Sequence, residues 1–100
     1  MDRLRFVTAG CQHYEHGHFT AWRHIAAEPD LDFVFHYGDY IYEYRGRAPG
    51  QPGWGPLVRP HVGEEIIALP DYRQRYAQYR LDPDLQAAHA AHPFLPSYDD

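Results

Sequence analysis

Leu31-Asp32-Phe33-Val34-Phe35-His36-Tyr37-Gly38-Asp39-Tyr40-Ile41-Tyr42-Glu43 decides the reading of this chain. Residues 31–37 form a short apolar run of strand length, with a Phe-Val-Phe centre. Gly38 lets the backbone turn sharply at the end of that run. Asp39 therefore stands just past the carboxyl end of a strand, with the Tyr42 phenol one short turn on.

The beginning of the chain has the same design. Leu4-Arg5-Phe6-Val7-Thr8-Ala9-Gly10-Cys11 reads as a strand over residues 4–9, closed by Gly10 and followed by Cys11. Between the two runs, Phe19, Trp22, Ile25 and Ala26 recur at helical spacing and predict a helix over 19–28, ended by Pro29-Asp30. Strand, helix and strand with short joints make a βαβ unit, which closes right-handed with parallel strands. Parallel neighbours put their carboxyl ends on one edge of the sheet. Cys11, Asp39 and Tyr42 are then expected to converge there, as a thiolate, a carboxylate and a phenol able to grip a hard divalent or trivalent cation. Carboxylate and phenolate oxygens suit iron better than tetrahedral zinc. Taken alone, the same residues also read as an apolar cysteine, a turn aspartate and a core tyrosine.

Further along, residues 45–63 are rich in Gly, Pro and Arg, have no usable period and predict an irregular loop of the kind that shapes binding sites. Residues 70–80 predict a helix with Pro at its first turn, and Tyr72, Tyr76 and Tyr79 on one packing face. Asp82-Pro83-Asp84 is an N-cap with Pro at the first helical position, opening a helix over 85–92 with Leu85, Ala88 and His89 inward. Residues 94–98 predict a third strand, ending on Asp99 and Asp100. The fold class expected is α/β: three strands, two crossovers, one domain over residues 1–100, with Asp100 at a third strand's carboxyl end. A strand that ends on two acids with no helix after it reads as the interior of a longer domain.

Composition narrows the function. One hundred residues allow at most one thin-cored domain. A net charge of −5 argues against general nucleic-acid binding. A single cysteine rules out an intrachain disulfide. No run is long and apolar enough to span a bilayer, and Met1-Asp2-Arg3-Leu4-Arg5 carries no signal-type apolar stretch. His13, His16 and His18 follow Cys11 and read as exposed or as hydrogen-bond partners; His24 and His36 read as packed.

Thr8-Ala9-Gly10-Cys11-Gln12, Tyr14-Glu15, Gly17, Phe19-Thr20-Ala21 and Gly38-Asp39-Tyr40-Ile41-Tyr42-Glu43 come in an order that resembles the PhoD-like alkaline phosphatase (alkaline phosphatase D) family. So do Tyr72-Arg73-Gln74-Arg75-Tyr76-Ala77, Asp82 to Ala90, and Tyr98-Asp99-Asp100. The resemblance covers nearly the whole chain, and the ordered set is specific although no piece is. It implies part of a layered α/β/β/α metallophosphoesterase sandwich and hydrolysis of phosphate mono- or diesters by metal-activated hydroxide at an Fe³⁺–Ca²⁺ site. It implies Cys11 as iron ligand, Asp39 as bridging carboxylate, Tyr42 as tyrosinate and Asp100 as a further ligand. Cys11 and Asp39 become the catalytic pair, the partners become small phosphate esters, and many members of the family are exported. The rival reading is a catalytically incomplete α/β fragment or structural remnant that binds no metal.

Overall fold

The computed structural model describes residues 3–47, 51 and 57–97. Strand β1 is Phe6–Ala9, helix α1 Thr20–Ala27, strand β2 Phe33–His36, helix α2 Leu69–Tyr79, helix α3 Pro83–Ala91 and strand β3 Phe94–Pro96. The three strands form one sheet in the order β1-β2-β3, and both pairings are parallel. This is the α/β order expected from the sequence, with strands one to two residues shorter at their ends than the apolar runs suggested. The Tyr98-Asp99-Asp100 end of the third predicted strand, Asp100 included, lies outside the described residues.

The register explains which residues are buried. Val7 pairs with Val34, and Val34 with Phe94, so these three share one face. Helices α1 and α3 cover that face, packing Trp22, Leu85 and Ala88 against Val34. Val34, Leu85 and Ala88 have no exposed surface. The opposite face carries Phe6, Phe35 and Leu95, which remain 50, 36 and 51 % exposed. A parallel sheet is ordinarily covered on both faces. The bare face is therefore apolar by design, and it is where a sandwich would place its second sheet.

Asp82 joins several parts. Its Oδ1 accepts from the amides of Asp84 at 2.9 Å and Leu85 at 3.0 Å, capping α3 as the sequence predicted. Its Oδ2 takes the Arg59 guanidinium at 2.7 Å. One carboxylate thus caps a helix and anchors the long loop.

Helix α2 corrects one expectation. Tyr72, Tyr76 and Tyr79 do share a side, but only Tyr79 is buried; Tyr72 and Tyr76 stay 41 and 46 % exposed. The buried stripe is Arg75, Gln78 and Tyr79. Tyr79 joins the apolar core, whereas Arg75 and Gln78 grip backbone. Arg75 donates to the carbonyls of Tyr42 and Tyr44, and to that of Glu64 at 3.1 Å. Gln78 donates to the Pro60 carbonyl at 3.0 Å and accepts from the Val62 amide at 3.0 Å. The described part of the segment before α2 is irregular, as predicted, and is held in place by polar side chains.

Candidate functional site

The pairing of β1 with β2 continues past both strand ends. The Tyr37 amide donates to the Ala9 carbonyl at 2.9 Å, the Cys11 amide to Gly38 at 3.1 Å and the Gln12 amide to Asp39 at 3.1 Å. Two chain segments thus leave the sheet side by side. Both turn sharply. Cys11 has φ 57° and Asp39 φ 50°, in the left-handed region that costs a non-glycine residue about 1–2 kcal/mol. Gly38 at φ 145° makes the second turn possible. Strained backbone of this kind persists only where its surroundings enforce it, and it gathers at functional sites. A third residue, Asp30, is also left-handed (φ 64°) but sits in the surface turn after α1.

The turns bring the predicted side chains together. Cys11 Sγ lies 3.5 Å from Asp39 Oδ2, so the thiol donates to the carboxylate. The Tyr42 phenol lies near enough for both groups to act on it electrostatically. Burial first, then the neighbouring Asp39 and Cys11, push the Tyr42 hydroxyl well above its ordinary range. The cluster is three acidic groups facing one another, and Asp39 enters none of the ion pairs among the described residues. Only a cation makes such a cluster favourable in its fully ionised form. Among the described residues no three His, Cys, Asp or Glu side chains converge; the third member of this cluster is a phenol. Cys11 is exposed, unlike the buried apolar cysteine of the bland reading.

Several supports were not legible in the sequence. Gln12 is buried; it accepts from Trp22 Nε1 at 2.9 Å and donates to the Tyr40 carbonyl at 2.9 Å, tying the rim to α1. Arg75 holds the backbone of Tyr42 itself. His61 is 3 % exposed; its Nδ1–H donates to the Tyr44 carbonyl at 3.0 Å and its Nε2 accepts from the Tyr79 hydroxyl at 2.8 Å. Burial, then the Arg75 charge, lower its pKa to about 4, so it stays neutral. Glu15, also buried, accepts the amides of Arg47 and His61, each at 2.9 Å.

The other histidines divide. His13 serves as a hydrogen-bond partner, its Nδ1 accepting the Glu15 amide at 3.2 Å, and it stacks on Tyr42 with ring centroids 4.4 Å apart. His18 is exposed. His36 is packed, 1 % exposed, with Nε2 buried and without a partner among the described residues. His24, expected to pack, is exposed on the outer side of α1. His89 faces inward as expected, 2.7 Å from the Tyr40 hydroxyl.

A cavity of about 690 Å³ opens beside Cys11 and Tyr42, bordered by His13, His16 and Tyr44. No helix among the described residues is long and apolar enough to cross a membrane.

Comparison with known proteins places this rim in context. Alkaline phosphatase D of Bacillus subtilis (strain 168) is 53 % identical over 101 residues, covering 100 % of this chain and 17 % of that protein. A solved structure of PhoD superposes with TM-score 0.82 at 51 % identity, covering 95 % of this chain and 18 % of that chain. The chain thus spans under a fifth of the length of these relatives. The PhoD-like phosphatase model matches residues 6–100, from the first strand to the last residue and across both turns of the rim. With this match and the identity above, the chain belongs to the PhoD-like phosphatase family.

Proposed function

We propose that this chain supplies one wall of a metal-dependent active site that hydrolyses phosphate esters, with Cys11, Asp39 and Tyr42 holding the metal. The observation that carries the reading is the convergence of those three acidic side chains on two strained turns of one sheet edge. The donor set fits the pair of ions that the family resemblance implies. One soft sulfur and hard oxygens suit Fe³⁺, and a carboxylate with two oxygens can also reach Ca²⁺. Asp100, outside the described residues, remains the proposed fourth ligand.

When bound, these ions acidify water and offset negative charge on the phosphoryl oxygens. The chain's own residues do the rest. Tyr42 and Cys11 would hold the cation as phenolate and thiolate, so its binding would be linked to proton release. Arg75 fixes the Tyr42 backbone, and the His13 ring lies against the Tyr42 ring. Gln12 fixes the turn that carries Cys11. The neighbouring cavity has room for the ester.

The test is optical and chemical together. The full-length protein is expected to hydrolyse p-nitrophenyl phosphate or its diester and to show a visible tyrosinate-to-iron band. Tyr42→Phe is expected to abolish the band. A band that survives this substitution removes Tyr42 from the site, and a full-length protein with no bound metal at full activity removes the metal reading altogether.

A further inference from the structure

The cavity beside the rim has an unusual wall. His16, His13 and Tyr42 form a column of nearly parallel rings, with centroid spacings of 3.9 and 4.4 Å and interplanar angles of 10 and 23°. Tyr44 extends it beyond Tyr42, 6.5 Å on and tilted by 19°. All four rings border the same cavity. Among the described residues His16 stacks only on His13, and Tyr44 only on Tyr42, so each end of the column presents a ring face with no ring on it. Arg45, which pairs with Glu64 at 3.7 Å, and Arg47 border the cavity too, together with the Glu15 carboxylate.

Flat π faces at the ends of a column are matched by another flat ring. An ester whose phosphate sits at the Cys11–Asp39–Tyr42 rim has its alcohol in this cavity. We infer that the cavity selects phosphate esters of alcohols carrying a planar aromatic ring, which stacks on the exposed end of the column at His16 or Tyr44. This rests on the proposed hydrolysis at the rim and adds a substrate class to it. The reaction is unchanged: a water oxygen bonds to phosphorus, the ester P–O bond breaks, and the proton from water leaves on the ring-bearing alcohol.

The experiment uses two alcohols of similar size and acidity that differ in the flatness of the ring. Benzyl and cyclohexylmethyl phosphates, each as monoester and as methyl diester, are given to the full-length protein, and release of the ring-bearing alcohol is followed. The expected result is a kcat/KM roughly 3- to 10-fold higher for benzyl, the range of a single aromatic stacking contact. His16→Leu or Tyr44→Leu, which keep an apolar side chain but remove the π face, are expected to bring that ratio towards one. Equal rates for the two alcohols in the parent protein overturn the inference and leave the hydrolysis standing. A benzyl preference that neither substitution changes also overturns it, because the preference then arises elsewhere. Failure to cleave any of the four esters overturns the hydrolysis and this inference together.

Discussion

The two ends of the same small sheet carry similar side chains and treat them in opposite ways. At the amino end Arg5 meets Glu28 at 2.9 Å and Asp30 at 3.9 Å, and its amide donates to Asp32 at 2.9 Å. Each acid there faces a cation or a donor, mostly in solvent. At the carboxyl end Asp39 faces a thiol and a phenol, on a backbone that is strained at two positions. An acid with a partner is explained by folding. Acids gathered with no ion-pair partner among the described residues fit the proposed metal. The difference separates the structural end of the sheet from the chemical end.

The comparison breaks first, and most visibly, at Asp39. Asp39→Asn keeps the shape and tolerates the left-handed turn, so the fold is expected to survive. Phosphate-ester hydrolysis by the full-length protein is expected to fall by about 10²–10³-fold or more, with loss of bound metal, while the thermal midpoint holds or rises. Unchanged turnover with unchanged metal content would place the chemistry elsewhere.

Asp82 sharpens the contrast, because it is an acid that is both buried and paired. Its side chain is 2 % exposed and that of its partner Arg59 is 15 % exposed. Asp82→Ala strands a buried guanidinium and removes the α3 cap, so a loss of about 3–5 kcal/mol in denaturant unfolding is expected. A loss below about 1 kcal/mol would show that the pair behaves as a surface one. Burial raises the Asp82 pKa, but hydrogen bonds from the Leu85 amide and from Arg59 outweigh it and hold the carboxyl below its ordinary value. Its contribution is therefore present above the normal carboxylate pKa and is lost as pH falls through the lowered one.

A smaller effect is expected from the neutral histidines. Burial, then Arg75, lowers His61 to about 4, and burial, then Arg80, lowers His89 to about 4. Between pH 4 and the ordinary histidine value the unfolded chain binds more protons than the folded one, so stability is expected to fall as pH drops across that window. His89→Gln should flatten the slope measured by urea unfolding at several pH values; an unchanged slope would show that His89 does not contribute to it. The smallest effect belongs to the amino end. Glu28→Gln breaks an exposed pair and is expected to cost less than about 1 kcal/mol, with no change in hydrolysis.

Much of this contrast was legible in the sequence, for physical reasons that differ by region. Apolar runs bounded by glycine gave β1 and β2, and helical spacing gave α1, because burial on one face imposes a period. Asp82-Pro83 announced α3, since its cap chemistry is local. The meeting of Cys11, Asp39 and Tyr42 followed from parallel topology alone. Backbone strain at Cys11 and Asp39 was not legible, because neither residue type requires φ > 0. Nor was the buried face of α2. Its tyrosines carry the apolar signal, whereas Arg75 and Gln78 are buried because loop carbonyls and amides need partners, and no periodicity encodes that need. The ring column is likewise tertiary: it joins residues from two separate stretches.

The central claim is that sulfur, carboxylate and phenol from this one rim hold a metal ion. X-ray absorption at the metal edge of the full-length protein tests it most directly, comparing the parent with Cys11→Ser. One sulfur neighbour in the parent, replaced by a lighter atom or lost in the variant, is the predicted result. A bound metal with no sulfur neighbour, or a sulfur signal that survives the substitution, would contradict the account.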